Sequence, residues 1–208
     1  MEKSEVLTLQ SLAAAFNEAT AGLDVCLSRL PLGWHGAYRH FRHPLDYLGA
    51  DGGGGVGAGP GLVVGTALAL KGQQRIAAGI LGDGDFLMGV TALWTAAHYK
   101  MPCLMVVANN RSFYNDELHQ ERVAKERSRP VENKWIGQRI DEPDIDLALM
   151  ARAQGAVGIG PVTKVSDLQD SFQKAIQAVK NGSVCVVDVR VQPGYDTNMS
   201  GAAAPARR

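Results

Sequence analysis

Gly82-Asp83-Gly84 stands between an apolar run, residues 76–81, and a helical pattern that begins near Leu87. A strand, a tight glycine turn and a helix amino terminus gather free backbone N–H groups and the positive end of the helix dipole, which makes an anion site. An aspartate in such a turn repels a phosphate, but it becomes a ligand once a divalent cation sits between the two. Magnesium takes six oxygens in near-octahedral array, one or two from side chains and the others from phosphates and water. A second oxygen donor ends the next apolar run: Asn109-Asn110 follows residues 104–108. The carboxyl ends of neighbouring parallel strands lie side by side, so Asp83 and Asn110 are expected to converge. Alone, each dipeptide is an ordinary turn or strand end. Together, each after a strand and separated by the 24 residues 85–108, which read as helix then strand, they form a specific constellation.

The elements that must position these groups follow from periodicity. Apolar spacing predicts a helix over residues 6–21, a short buried strand at 23–30, a helix at 62–71, a strand at 76–81, a helix at 87–99 and a strand at 104–108. Further on it predicts a helix at 144–154, a strand at 156–159, a helix at 165–180 and a strand at 184–191. This alternation predicts an α/β domain spanning residues 1–191, doubly wound, with a mainly parallel sheet of five or six strands and helices on both faces. Residues 111–142 differ: 14 of the 32 are charged, seven of each sign, so that segment is expected to be exposed and partly mobile. Residues 192–208 are expected to be a disordered tail.

Composition narrows the function classes. The 208 residues carry 21 Lys plus Arg against 21 Asp plus Glu, which removes the electrostatic argument for nucleic acid or an anionic membrane surface as partner. Three distant cysteines, Cys26, Cys103 and Cys185, offer neither a disulfide framework nor a Cys-x-x-Cys site, and a reducing cytoplasm is the expected location. The amino terminus shows no secretory pattern. Residues 52–70 lack any charge for 19 positions, yet eight of them are glycine and one is proline. That composition is too costly for an isolated membrane helix, so it reads as a buried loop followed by a helix.

Gly82-Asp83-Gly84, the 24 intervening residues and Asn109-Asn110 resemble the cofactor motif of the thiamine diphosphate-dependent superfamily, of the acetolactate synthase and 2-oxo acid decarboxylase type. The glycine segment from Gly54 to Gly61 is similar to the one those enzymes place against the aminopyrimidine, and residues 90–100, with Leu93-Trp94-Thr95-Ala96, also resemble theirs. The likeness covers their diphosphate-binding domain from about residue 7 to 191. It implies that Asp83 and Asn110 bind Mg2+ through side-chain oxygens and Ser112 through its backbone carbonyl. Gly82 belongs to the turn, Gly84 and Asp85 would offer N–H groups to the diphosphate, the Gly54 carbonyl would accept from the pyrimidine amino group, and Val56 would wedge the cofactor into its bent form. The family often has glycine where Ser112 stands, and a larger side chain where Val56 stands. The carbon chemistry belongs to the cofactor.

The same resemblance implies a missing half. In this superfamily a glutamate from a separate pyrimidine-binding domain protonates the aminopyrimidine, and the glutamates here, at 2, 5 and 18 and at 117, 121, 126, 132 and 142, lack that setting. The chain is therefore expected to act on a small 2-oxo acid or aldehyde only with a pyrimidine-binding domain or subunit, as part of an oligomer, and to be inactive alone. A non-catalytic cofactor module is the alternative. A dinucleotide-binding domain is a weaker one, since Gly52 to Gly57 matches G-x-G-x-x-G without a preceding strand. His35, His40 and His43 with Arg39 and Arg42 read as a solvated basic loop in preference to an anion pocket, and His98 as a packing or interface residue.

Overall fold

A computed structural model of the protein describes residues 6–49 and 55–194. Gly54 and residues 195–208, most of the tail read above as disordered, lie outside the described residues.

The chain opens with α1 (Leu9–Ala19), whose first turn is closed by a reciprocal box: the Thr8 hydroxyl accepts from the Ser11 N–H and the Ser11 hydroxyl accepts from the Thr8 N–H. Its buried stripe, Leu12, Ala13 and Phe16, faces the sheet. Then follow β1 (Val25–Leu27), α2 (Ala58–Ala69), β2 (Ile76–Gly82), α3 (Asp83–Gly89), α4 (Ala92–His98) and β3 (Cys103–Asn109). The second half is α5 (Tyr114–Glu126), α6 (Leu147–Ala153), β4 (Val157–Val162), α7 (Leu168–Lys180) and β5 (Val184–Arg190). The five strands are all parallel in the order β1-β2-β3-β5-β4.

β2 and β3 are near-continuous apolar runs up to their carboxyl ends, and β5 is one up to Asp188, because both faces of the sheet are covered. Along β3, Leu104, Val106 and Ala108 join a core with α1 and α7, where Phe16 meets Phe172 edge to face at 5.8 Å. Cys103, Met105 and Val107 point the other way, into a second core with α2, α4 and α6. The faces follow from handedness. From β1 to β3 and on to β4 the chain steps one way across the sheet and its helices lie on one face; from β4 it steps back to β5, so a right-handed crossover must put α7 on the other.

Several bounds differ from the sequence reading, among them the helix expected at 62–71, which runs Ala58–Ala69, and the strand expected at 156–159, which runs Val157–Val162. The helix expected at 87–99 starts four residues earlier, at Asp83, and is divided at Val90 and Thr91, where the backbone stays helical. The strand expected at 23–30 shrinks to three residues, although backbone bonds to β2 continue past it: the Ser28 N–H donates to the Ala78 carbonyl and the Ile80 N–H to the Arg29 carbonyl. Within the charged segment a 13-residue helix, α5, forms with Glu117 as its buried residue.

Candidate active site

Strand register brings the two halves of the constellation together. Gly82 pairs with Ala108 and Asn109 pairs with Arg190, so β2, β3 and β5 end side by side. At that edge lies a cavity of about 310 Å³, bounded by Arg29 to Gly33 after β1, Val56, residues 82–85, the turn after β3 with the start of α5, and residues 191–194. Gly82, Asp83, Gly84, Asp85, Asn110, Ser112 and Val56 all line it.

Asp83 is 2 % exposed. One carboxylate oxygen accepts from the Gly84 N–H at 3.0 Å and the other from the Ser112 N–H at 3.0 Å. The Ser112 N–H is shared, since it also donates to Asn110 Oδ1 at 3.0 Å. Two electron-rich oxygens from different strand ends thus flank one amide at the cavity wall. Burial pushes the Asp83 carboxyl up to about 6, against the lowering effect of its N–H donors. Among the described residues no group of three or more His, Cys, Asp or Glu could hold a metal. A carboxylate, an amide oxygen and a backbone carbonyl form an all-oxygen donor set too small to satisfy a hard cation by themselves, which suits Mg2+ shared with a diphosphate and water.

The turn between Asn110 and Ser112 has its own supports. Arg111 takes a left-handed conformation, φ 58°, and its N–H donates to Asn109 Oδ1 at 3.1 Å. The Asn109 amide donates in turn to the fully buried Asp188 at 2.9 Å, whose carboxyl burial raises above the usual range. On the far side the Ser112 hydroxyl donates to Glu117, a carboxylate 1 % exposed that Arg139 Nε meets at 2.7 Å. The Phe113 ring then lies flat on Gly84: a Cβ there would sit 2.2 Å from a ring carbon. Only glycine allows that closure.

Asp85 is employed differently from its neighbour in the turn. One oxygen accepts from the Gly57 and Gly59 N–H groups at 2.7 and 3.1 Å, and the other from Arg29 Nε at 3.0 Å. The sequence reading named Asn109 only as part of Asn109-Asn110 and did not single out Arg29, Glu117 or Asp188. A cation closing an otherwise apolar strand was the available signal for Arg29; Glu117 was hidden inside a segment whose mean polarity implied exposure.

The remaining expectations resolve simply. His35 and His43 use their Nδ1 atoms to accept from the Ala37 and Leu45 N–H groups, and neither lines the cavity, which fits a solvated loop. His98 stacks on Trp94 at 4.9 Å, outside the cavity. Gly57 enters α2 directly from a loop, so the G-x-G-x-x-G match lacks the strand that a dinucleotide site needs among the described residues. No helix of the described residues is long and apolar enough to cross a membrane.

Such a sheet, with helices on both faces and a cavity at the carboxyl ends of adjacent strands, defines a doubly wound parallel α/β domain. Residues 31–189 match the family described as thiamine pyrophosphate enzyme, C-terminal TPP binding domain, and the chain belongs to that family. It is 27 % identical over 154 residues to the acetolactate synthase isozyme 3 large subunit of Escherichia coli K12, covering 74 % of this chain and 25 % of that protein. To benzoylformate decarboxylase of Pseudomonas aeruginosa it is 29 % identical over 148 residues, covering 67 % and 24 % respectively. The crystal structure of benzoylformate decarboxylase from Polynucleobacter necessarius superposes with a TM-score of 0.75 at 19 % identity, over 94 % of this chain and 35 % of that one, a likeness of fold. The chain thus spans about a quarter of the length of the curated relatives it matches.

Proposed function

We propose that this chain is the diphosphate- and magnesium-binding half of an acetolactate synthase-like enzyme, which decarboxylates a small 2-oxo acid or joins it to a second carbonyl compound. The observation that carries the reading is the convergence of Asp83 and Asn110 on the shared Ser112 N–H at the cavity wall. The Asp83 carboxylate, Asn110 Oδ1 and the Ser112 carbonyl would hold Mg2+, and the Gly84 and Asp85 N–H groups would meet the diphosphate. Val56, 44 % exposed at the cavity rim, would support the bend of the cofactor, with the Gly54 carbonyl on the pyrimidine. Thiamine diphosphate supplies the carbon nucleophile and electron sink when bound.

The chain's own residues bind and orient; they do not supply the proton. No glutamate lines the cavity among the described residues, and the buried Glu117 is committed to Ser112 and Arg139. A pyrimidine-binding domain or subunit is therefore the required partner, within an oligomer. The three buried thiols, two of them pushed up to about 12 by burial, suit a reducing cytoplasm. Calorimetry tests the reading: Mg2+-dependent binding of thiamine diphosphate is expected for the wild type and abolished in Asp83→Ala. Equal affinity in the two would overturn the site.

A further inference from the structure

Asp83 and Asp85 sit two residues apart in one turn and are wired in opposite ways. Both oxygens of Asp83 meet backbone N–H groups, that of Gly84 in the same turn and that of Ser112 after β3. Asp85 reaches back to the glycine segment, 26 to 28 residues earlier. Gly59 comes so close that a Cβ there would lie 2.3 Å from the carboxylate, and Gly57 holds a left-handed φ of 96° that turns its N–H toward Asp85. Arg29 closes the ring: its Nε donates to Asp85 at 3.0 Å and another guanidinium nitrogen donates to the Gly55 carbonyl at 3.1 Å. The Arg29 and Asp85 side chains are only 16 % and 10 % exposed.

We propose that Asp85 and Arg29 are positioning residues that lock the glycine loop to the diphosphate turn, so that the segment facing the pyrimidine and the segment facing the phosphates form one rigid unit. This rests on the cofactor assignment above. Arg29 has a second effect in the same arrangement: it neutralises a carboxylate that would otherwise repel a diphosphate bound at this turn. The clasp consists of charge-assisted bonds in a nearly dry setting, where such bonds are strong and directional.

The test compares two probes on the 208-residue chain at fixed Mg2+: inorganic pyrophosphate, which reads the phosphate turn alone, and thiamine diphosphate, which also reads the glycine loop. Asp85→Ala is expected to lower the preference for thiamine diphosphate over pyrophosphate about 10- to 100-fold, with pyrophosphate itself binding up to about tenfold tighter because the Arg29 charge is then uncompensated. Arg29→Gln leaves the Asp85 charge uncompensated, so it should weaken pyrophosphate as well, about tenfold. The double variant Arg29→Gln/Asp85→Ala should regain pyrophosphate binding without regaining the preference for thiamine diphosphate, a non-additivity that general loss of structure does not produce. Asp85→Asn keeps an acceptor for Gly57 and Gly59 and should retain most of the preference. Loss of both probes in parallel, an unchanged preference in Asp85→Ala, or a wild type without any preference would overturn the clasp. A wild type that binds neither probe overturns the cofactor reading itself.

Discussion

At Asp83, burial and function pull against each other. Its carboxyl titrates near 6 in place of the ordinary 3.8, so between those values the folded chain binds a proton that the unfolded chain releases. The metal-free protein therefore gains stability as pH falls from 6 to 4 and loses it as pH rises, by about 3 kcal/mol for this group. Denaturant melts of the wild type and Asp83→Ala across that window should diverge by this amount, with the slope absent from the alanine variant. Cation binding runs the other way, because the proton and Mg2+ compete for the same oxygens. Affinity for Mg2+ with thiamine diphosphate is expected to fall about tenfold per pH unit below 6, as titration calorimetry at stepped pH would read. A flat profile would mean that Asp83 does not touch the metal.

The segment after Asn110 shows how a polar stretch becomes an element. Residues 111–142 offer few apolar anchors, yet the Phe113 N–H donates to the Gln138 carbonyl and the Ile140 N–H to the Arg111 carbonyl, so the chain returns to its own start. Glu117 on α5 clamps the loop by accepting from Ser112 and pairing with Arg139. The sequence reading of this segment as exposed holds for most of α5, but it missed this clamp. Glu117→Ala leaves Arg139 without its partner and removes the acceptor for Ser112. It should cost about 1 kcal/mol, since Arg139 is half exposed and regains water, with faster amide exchange at Phe113 and Ile140 as the local readout. Unchanged exchange there would show that α5 is held by something else. Cofactor and Mg2+ should protect residues 111–139 from exchange, since the loop carrying Asn110 and Ser112 leads straight into α5.

Across the whole molecule, two cores flank a five-stranded sheet that carries the cavity at the carboxyl ends of its strands. Val56 and Met88 stand exposed, at 44 % and 64 %, near the glycine loop, where Gly57 packs against Met88. Such a rim suits a covering domain. The chain alone is expected to bind cofactor without steady-state turnover of any 2-oxo acid, and to gain turnover on addition of a pyrimidine-binding protein. Carbon dioxide release by the purified chain, abolished by Asp83→Ala, would show that no second half is needed.

The alternation of elements, the parallel sheet and the pairing of Gly82-Asp83-Gly84 with Asn109-Asn110 were legible in the residues alone, because local periodicity and turn chemistry act over a few residues and β2 and β3 are apolar on both faces. Which carboxylate serves which loop is settled only when distant segments meet in the folded chain. Asp83 and Asp85 have the same side chain in the same turn, and their roles diverge because Ser112 arrives at one and Gly57, Gly59 and Arg29 at the other. The same holds for Glu117 and Asp188, whose burial is a consequence of distant segments meeting: Arg139 lies 22 residues from the first and Asn109 lies 79 from the second. Contacts over such separations leave no period in the chain, since nothing local selects one distant partner over another before the sheet has formed.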